Sequence, residues 1–346
     1  MIPLIKPYFD ESEINAIHEV LQSGWVTQGP KCEEFESMVA KYLGCNHVIS
    51  VTNCTAALYL ALKAYGIGPG DSVIVPDYTF PATALAVIHA GARPIFVDVL
   101  PDTYNMNPDH VEDAIVDSTR AIIPVHLFGQ SALMHPIIAI AEAYDLIVIE
   151  DVACALGAST SLGKLGTLGH IGCFSLHARK GITTGEGGLV CTDDKDIADK
   201  IKRMSNFGVE RTYGRKSAPS FDMPGFNFKM SDIAAAIGIV QFSRIDSWIK
   251  CRRKSAAKMD KYILETFGGK LIPPENHYPE GHSYQSYVCV ADPKERDSIL
   301  DHFSKMNVET GIGTYACHMH PLFANSNKYP VSNHLYRNSI SLPLWL

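Results

Sequence analysis

Ser72-Val73-Ile74-Val75-Pro76, then Asp77-Tyr78-Thr79-Phe80-Pro81, then Ala82-Thr83-Ala84-Leu85-Ala86-Val87-Ile88-His89-Ala90, then Pro94-Ile95-Phe96-Val97 carry the alternation that decides the fold. The first piece is an apolar run of strand length, the second a turn, the third a helix and the fourth a second strand. The rhythm extends upstream, where Val48-Ile49-Ser50-Val51 reads as a strand and residues 56 to about 65 as a helix. Gly66-Ile67-Gly68-Pro69-Gly70-Asp71 ends that helix. Downstream, helices over 109–115 and 136–144 alternate with strands over 121–125 and 146–149. Strands nearly continuous in Val and Ile, separated by helices, predict an α/β fold with a mostly parallel sheet covered on both faces. Ligands of such sheets sit beyond the carboxyl ends of the strands.

Outside this core, residues 10–22 have helical spacing through Ile14, Ile17, Val20 and Leu21, with Asp10 or Ser12 as the N-cap. A second helix is expected over 33–42. From residue 232 to about 267 the pattern is long and helical and ends at Gly268-Gly269. A strand over 287–290, a helix over 294–305 and a return strand over 308–313 follow. The expected division is a large domain over 1–243 and a smaller C-terminal α/β domain over 244–346.

The 346 residues are 46% hydrophobic and 19% charged, a globular composition. The start, Met1-Ile2-Pro3-Leu4-Ile5-Lys6-Pro7 followed by Asp10, Glu11 and Glu13, has no signal-peptide layout. Apolar runs such as 121–125 are far too short for a membrane helix, so a cytoplasmic protein is expected. Nine scattered cysteines without a CxxC pair argue against a disulfide framework and a zinc ribbon. A net charge of −7 with no basic run argues against nucleic acid as a partner. A small anion held at a helix N-terminus is compatible with that charge.

Two residues carry chemistry at strand ends. Asp151 follows the run 146–149 with only Glu150 between, where a carboxylate can pair with a protonated pyridine nitrogen. Taken alone, a cap or a structural ion pair is the commoner role for such a residue. Lys180 closes Cys173-Phe174-Ser175-Leu176-His177-Ala178-Arg179-Lys180 and precedes Gly181-Ile182-Thr183-Thr184-Gly185-Glu186-Gly187-Gly188. A lysine beside a glycine-rich turn suits a Schiff base, and burial is expected to lower its pKa. A lone lysine near glycines is more often solvated; Asp151 upstream changes the balance. Thr55-Ala56-Ala57 opens a helix whose N–H groups can hold a phosphate, although Thr55 also fits a plain N-cap. Phe80 can stack on a flat ring, while Ser175 and Asn227 read individually as local turn partners.

In order along the chain these segments resemble the DegT/DnrJ/EryC1/StrS family of sugar aminotransferases. The resemblance runs from Ser23-Gly24-Trp25-Val26-Thr27-Gln28-Gly29-Pro30 to Ser341-Leu342-Pro343-Leu344. Between them stand 53–57, 76–80, Pro124-Val125-His126-Leu127-Phe128-Gly129-Gln130, Glu150-Asp151, 175–180, Thr184-Gly185-Glu186-Gly187-Gly188 and Gly225-Phe226-Asn227-Phe228-Lys229-Met230. It implies the fold-type I aminotransferase architecture, pyridoxal 5'-phosphate as cofactor and a homodimer. It further implies Lys180 as the Schiff-base lysine, Asp151 on the pyridine nitrogen and Phe80 stacked on the ring. Thr55, Ala56 and Ser175 would hold the phosphate, with Asn227 reaching it from the neighbouring subunit and His177 in support. The implied reaction moves an amino group from an amino acid, glutamate first among them, to a nucleotide-linked keto-sugar.

Three departures stand out. Cys154 replaces the usual glutamine or histidine three residues after the aspartate, and Cys54 stands where glycine is common. The segment Tyr315-Ala316-Cys317-His318-Met319-His320-Pro321-Leu322-Phe323, expected to border the sugar, also differs from the family pattern. Competing readings are a cyclitol ketone as acceptor, or a non-catalytic regulator that senses sugar or cofactor. A sugar dehydratase of the same fold would carry histidine in place of Lys180.

Overall fold

Seven strands form the central sheet in a computed structural model that describes residues 1–209 and 219–344. They are β1 (His47–Val51), β2 (Ser72–Pro76), β3 (Arg93–Val97), β4 (Thr119–Ile122), β5 (Ile147–Asp151), β6 (Ile171–Ser175) and β7 (Gly188–Thr192). Their order across the sheet is β1-β7-β6-β5-β4-β2-β3. Only β7 runs antiparallel to its neighbours; the pairs β6–β5, β5–β4, β4–β2 and β2–β3 are parallel. This is the expected mostly parallel α/β sheet.

The uninterrupted apolar strands follow from burial on both faces. Val73 and Val75 pack with the helices Cys54–Ala64 and Ala82–Ala90 on one face. Ile74, Ile122 and Val148 pack with the helix Met134–Ala143 on the other. The helix Glu11–Ser23 is closed at its start by a capping box in which Asp10 binds the Ser12 N–H and Glu13 binds the Asp10 N–H. The helix Lys195–Ser205, at a stretch given no assignment above, is capped by Asp194. Its buried Ala198, Ile201 and Met204 stand at helical spacing, a signal that would have revealed it.

The C-terminal part holds a second, three-stranded antiparallel sheet of β8 (Leu271–Ile272), β9 (Tyr287–Ala291) and β10 (Ser339–Leu342), in that order. Two expectations change here. The helical stretch 232–267 is two helices, Asp232–Ser243 and Ile245–Phe267, broken at Arg244 (φ −100°, ψ −2°). Arg244 reaches back to Asp10 and Glu13, both at 2.9 Å. The return strand is not 308–313, which makes only bridges from Val308 to Ile2 and from Gly311 to Ser341. β10 takes that place, pairing Ile340 with Cys289. Among the described residues no helix is long and apolar enough to cross a membrane.

Candidate active site

Because β2, β5 and β6 run the same way, Pro76, Asp151 and Ser175 end at one edge of the sheet. The reversed β7 begins at that edge, and the register sets Val51, Gly188 and Ser175 side by side. Gly188 is required there. A Cβ on it would lie 2.4 Å from the Asn53 carbonyl carbon, so only glycine lets β7 pass the turn that opens the helix Cys54–Ala64. Thr55 and Ala56 therefore start a helix beside the end of β6.

Asn53, not Thr55, is the cap of that helix: its side chain accepts the Ala56 N–H at 2.8 Å. A phosphate at this terminus would have to share or displace that bond. Thr55 and Ala56 line an open cavity of about 690 Å³ together with Asn53, Glu186, Phe226 and Phe228. Asn227, between the last two, is exposed, and the rings of Phe226 and Phe228 stack at 4.8 Å. Ser175 is buried and its hydroxyl accepts the His177 N–H at 3.3 Å.

Asp151 is buried. Its carboxylate accepts from the Thr83 hydroxyl at 2.8 Å and from the Ala153 N–H at 3.1 Å. Burial pushes its pKa up, and those two bonds together with the nearby Lys180 and His126 pull against it. Thr83 also ties in the Phe80 turn, since its N–H donates to the Phe80 carbonyl at 3.3 Å. Phe80 is 60% exposed, and its ring meets Tyr315 edge-on with centroids 6.0 Å apart. The ribbon pairing Tyr315 with Thr79 and Ala316 with Tyr78 holds the 315–323 segment against the Phe80 turn.

Lys180 sits in a loop closed by backbone bonds from Leu176 to Gly187 and from Ala178 to Gly185. Its Nζ donates to the Cys154 Sγ at 3.3 Å. The expected lowering of its pKa is corrected by this contact. Burial does pull the amine down, but the Cys154 thiol, helped by Cys54 and Asp151, outweighs it and the pKa ends above the ordinary lysine value. Cys54, at the helix start, feels Asp151, Lys180 and Cys154 alike, and burial raises its thiol well above its usual range.

Lys180, Asp151 and the start of the helix at 54 thus share one neighbourhood. Phe80 joins it through Thr83, while Asn227 stands between Phe226 and Phe228, which line the cavity with Thr55. Thr83 and the Cys154–Lys180 contact went unread in the sequence. The one available signal was the placement of Thr83 three residues after Phe80. A buried carboxylate, a half-buried lysine and an open helix-start cavity make a donor set that fits pyridoxal phosphate: one group for the ring nitrogen, one for the aldehyde, one for the phosphate.

GDP-perosamine synthase of Caulobacter vibrioides is 35% identical over 94% of this chain and 87% of its own length. The aminotransferase TlmJ of Streptoalloteichus hindustanus superposes with a TM-score of 0.93 and 31% identity, covering 99% of this chain and 93% of TlmJ. Spr1654 of Streptococcus pneumoniae in its PMP form superposes with a TM-score of 0.90 and 28% identity, covering 99% and 94% of the two chains. The model of the DegT/DnrJ/EryC1/StrS aminotransferase family matches residues 7–346. With its fold in accord with these relatives, the chain is an aminotransferase and belongs to the DegT/DnrJ/EryC1/StrS family.

Proposed function

We propose that the protein transfers an amino group from an amino acid, glutamate being the favoured donor, to a keto-sugar linked to a nucleotide, with Lys180 and Asp151 as the catalytic residues. The observation that carries this reading is the meeting at one strand edge of the buried Asp151 carboxylate with the half-buried Lys180, whose amine donates to Cys154 three residues beyond Asp151. A relative named for making a GDP-linked amino sugar supports the class of acceptor.

Pyridoxal phosphate, when bound, supplies an electron sink and a temporary carrier for the amino group. The chain does the rest. Asp151, fixed by Thr83 and Ala153, would hold a proton on the ring nitrogen. Lys180 would hold the cofactor and move a proton to and from the substrate carbon through Nζ. Phe80 would stack on the ring, and Thr55, Ala56 and Ser175 would hold the phosphate. Asn227 of a second subunit would complete that cradle. Tyr315, against Phe80, fronts the acceptor.

Borohydride treatment of the cofactor-loaded protein followed by peptide mapping is expected to fix the cofactor on Lys180. Lys180→Ala is expected to lose activity by about a thousandfold, the range of a lost acid–base group. Cofactor fixed elsewhere, or full turnover in the variant, overturns the assignment. Turnover with a free cyclitol ketone but with no nucleotide-linked sugar would replace the acceptor.

A further inference from the structure

We propose that Cys154 is a further catalytic-site residue: its sulfur takes the hydrogen bond of the Lys180 amine and holds that amine in place in the cofactor-free protein. The proposal rests on Lys180 being the cofactor lysine. It starts from a contact between reacting atoms, the 3.3 Å separation of Lys180 Nζ and Cys154 Sγ.

The position of the sulfur is built in. Cys154 lies in the turn that follows β5, and three bonds shape this turn. Ala153 N–H donates to the Asp151 carboxylate at 3.1 Å, Val152 N–H to the Cys173 carbonyl at 2.8 Å and Ala155 N–H to the Val152 carbonyl at 3.0 Å. The carboxylate assigned to the ring nitrogen and the sulfur assigned to the amine are therefore set by the same turn. Three groups act on the amine from the surrounding elements: Cys154 from the turn, Cys54 from the start of the helix Cys54–Ala64, and Asp151 from the end of β5. Among the described residues, Cys154 alone bonds it directly. Asp151 is engaged by Thr83 and Ala153.

The consequence concerns one proton. To bond a carbonyl, the lysine must lose its proton, since only the neutral amine carries a free lone pair. With Cys154 present, the charged amine is favoured; without it, burial dominates and the amine loses its proton at lower pH. The proton passes to solvent, and the bond that the amine then forms to the carbonyl carbon releases the carbonyl oxygen as water.

Wild type, Cys154→Ser and Cys154→Ala are stripped of cofactor and mixed with pyridoxal phosphate, and the absorbance of the lysine-bound cofactor is followed against pH. In Cys154→Ala the midpoint of the rate–pH profile is expected to fall, with Cys154→Ser between. A role limited to packing would change thermal stability or the loaded fraction and leave the midpoint in place. An unmoved midpoint in Cys154→Ala overturns the proposal. Should Cys154→Ala not fold, Cys154→Ser decides alone: a lowered midpoint supports it and an unmoved one overturns it. Borohydride mapping on the same samples separates the two failures. Cofactor on another lysine overturns the proposed function, whereas cofactor on Lys180 with an unmoved midpoint overturns only the role of Cys154.

Discussion

Glu150 and Asp151 are adjacent on β5, and the alternation of a strand sends them to opposite faces. Glu150 is consumed by structure. It accepts the N–H groups of Gly166, Leu168 and Gly169 at 2.7–2.8 Å and pairs with His126 Nε2 at 2.9 Å. His126 Nδ1 accepts the Ala132 N–H, which leaves the ring proton on Nε2 for Glu150. Asp151 instead is bonded by Thr83 and Ala153 and feels the nearby Lys180. Asp151→Asn retains shape and a hydrogen bond but loses the charge that favours a protonated ring nitrogen. The variant is expected to bind cofactor yet convert it with the amino donor about 100-fold more slowly, equivalent to about 2.7 kcal/mol. Stopped-flow absorbance of the first half-reaction checks this, and an unchanged rate in loaded variant rejects the role. Both residues were legible because each follows an apolar run. Thr83, which orients Asp151, was hidden in a helix that reads as plain core.

At the scale of elements, a buried carboxylate docks the C-terminal segment onto the main sheet. Asp98, just past β3, accepts from the N–H groups of Val331 and Ser332 and from the Ser332 hydroxyl, at 2.6–2.9 Å. These donors open the helix Pro330–Asn338, whose first N–H groups have no partner within the helix. Asp98→Ala strands them in a buried place, and a loss of about 2–4 kcal/mol is expected in urea unfolding. A change below about 0.5 kcal/mol would show that water replaces the carboxylate. The expectations corrected above belong to this scale. Nothing in Ser243-Arg244-Ile245 signals a break, because no Gly or Pro marks it. The break coincides with contacts from Arg244 to a helix more than two hundred residues earlier. β10 escaped notice because Ser339 and Ser341 interrupt its apolar residues, although both serines are buried. Tyr78 explains one of them, its hydroxyl meeting the Ser339 hydroxyl at 2.8 Å.

For the whole molecule, the proposal that a second subunit completes the site turns on Asn227, which is exposed between two stacked phenylalanines that line the Thr55 cavity. If a second subunit supplies it, Asn227→Ala and Lys180→Ala damage different halves of each site. A mixed dimer then holds one site with both residues intact and one with neither. Co-expressed, differently tagged chains are expected to recover up to about half of the wild-type activity per mixed dimer, the share of one intact site in two. No recovery in purified mixed dimers rejects the sharing.

The sequence by itself determined the α/β alternation, the strand-end setting of Asp151 and the glycine-rich loop around Lys180. Such features are written in local periodicity and in turn residues, which depend on near neighbours along the chain. Only the tertiary structure decided that β7 runs against its neighbours, that residues 339–342 complete the small sheet, and that Thr83 orients Asp151. It also decided the direction in which the lysine pKa moves. Burial read from sequence points to a lowered pKa, but the sign turns on a sulfur 26 positions away that folding brings to 3.3 Å. A contact between distant segments leaves no period in either of them, and at short range one such contact outweighs the average environment.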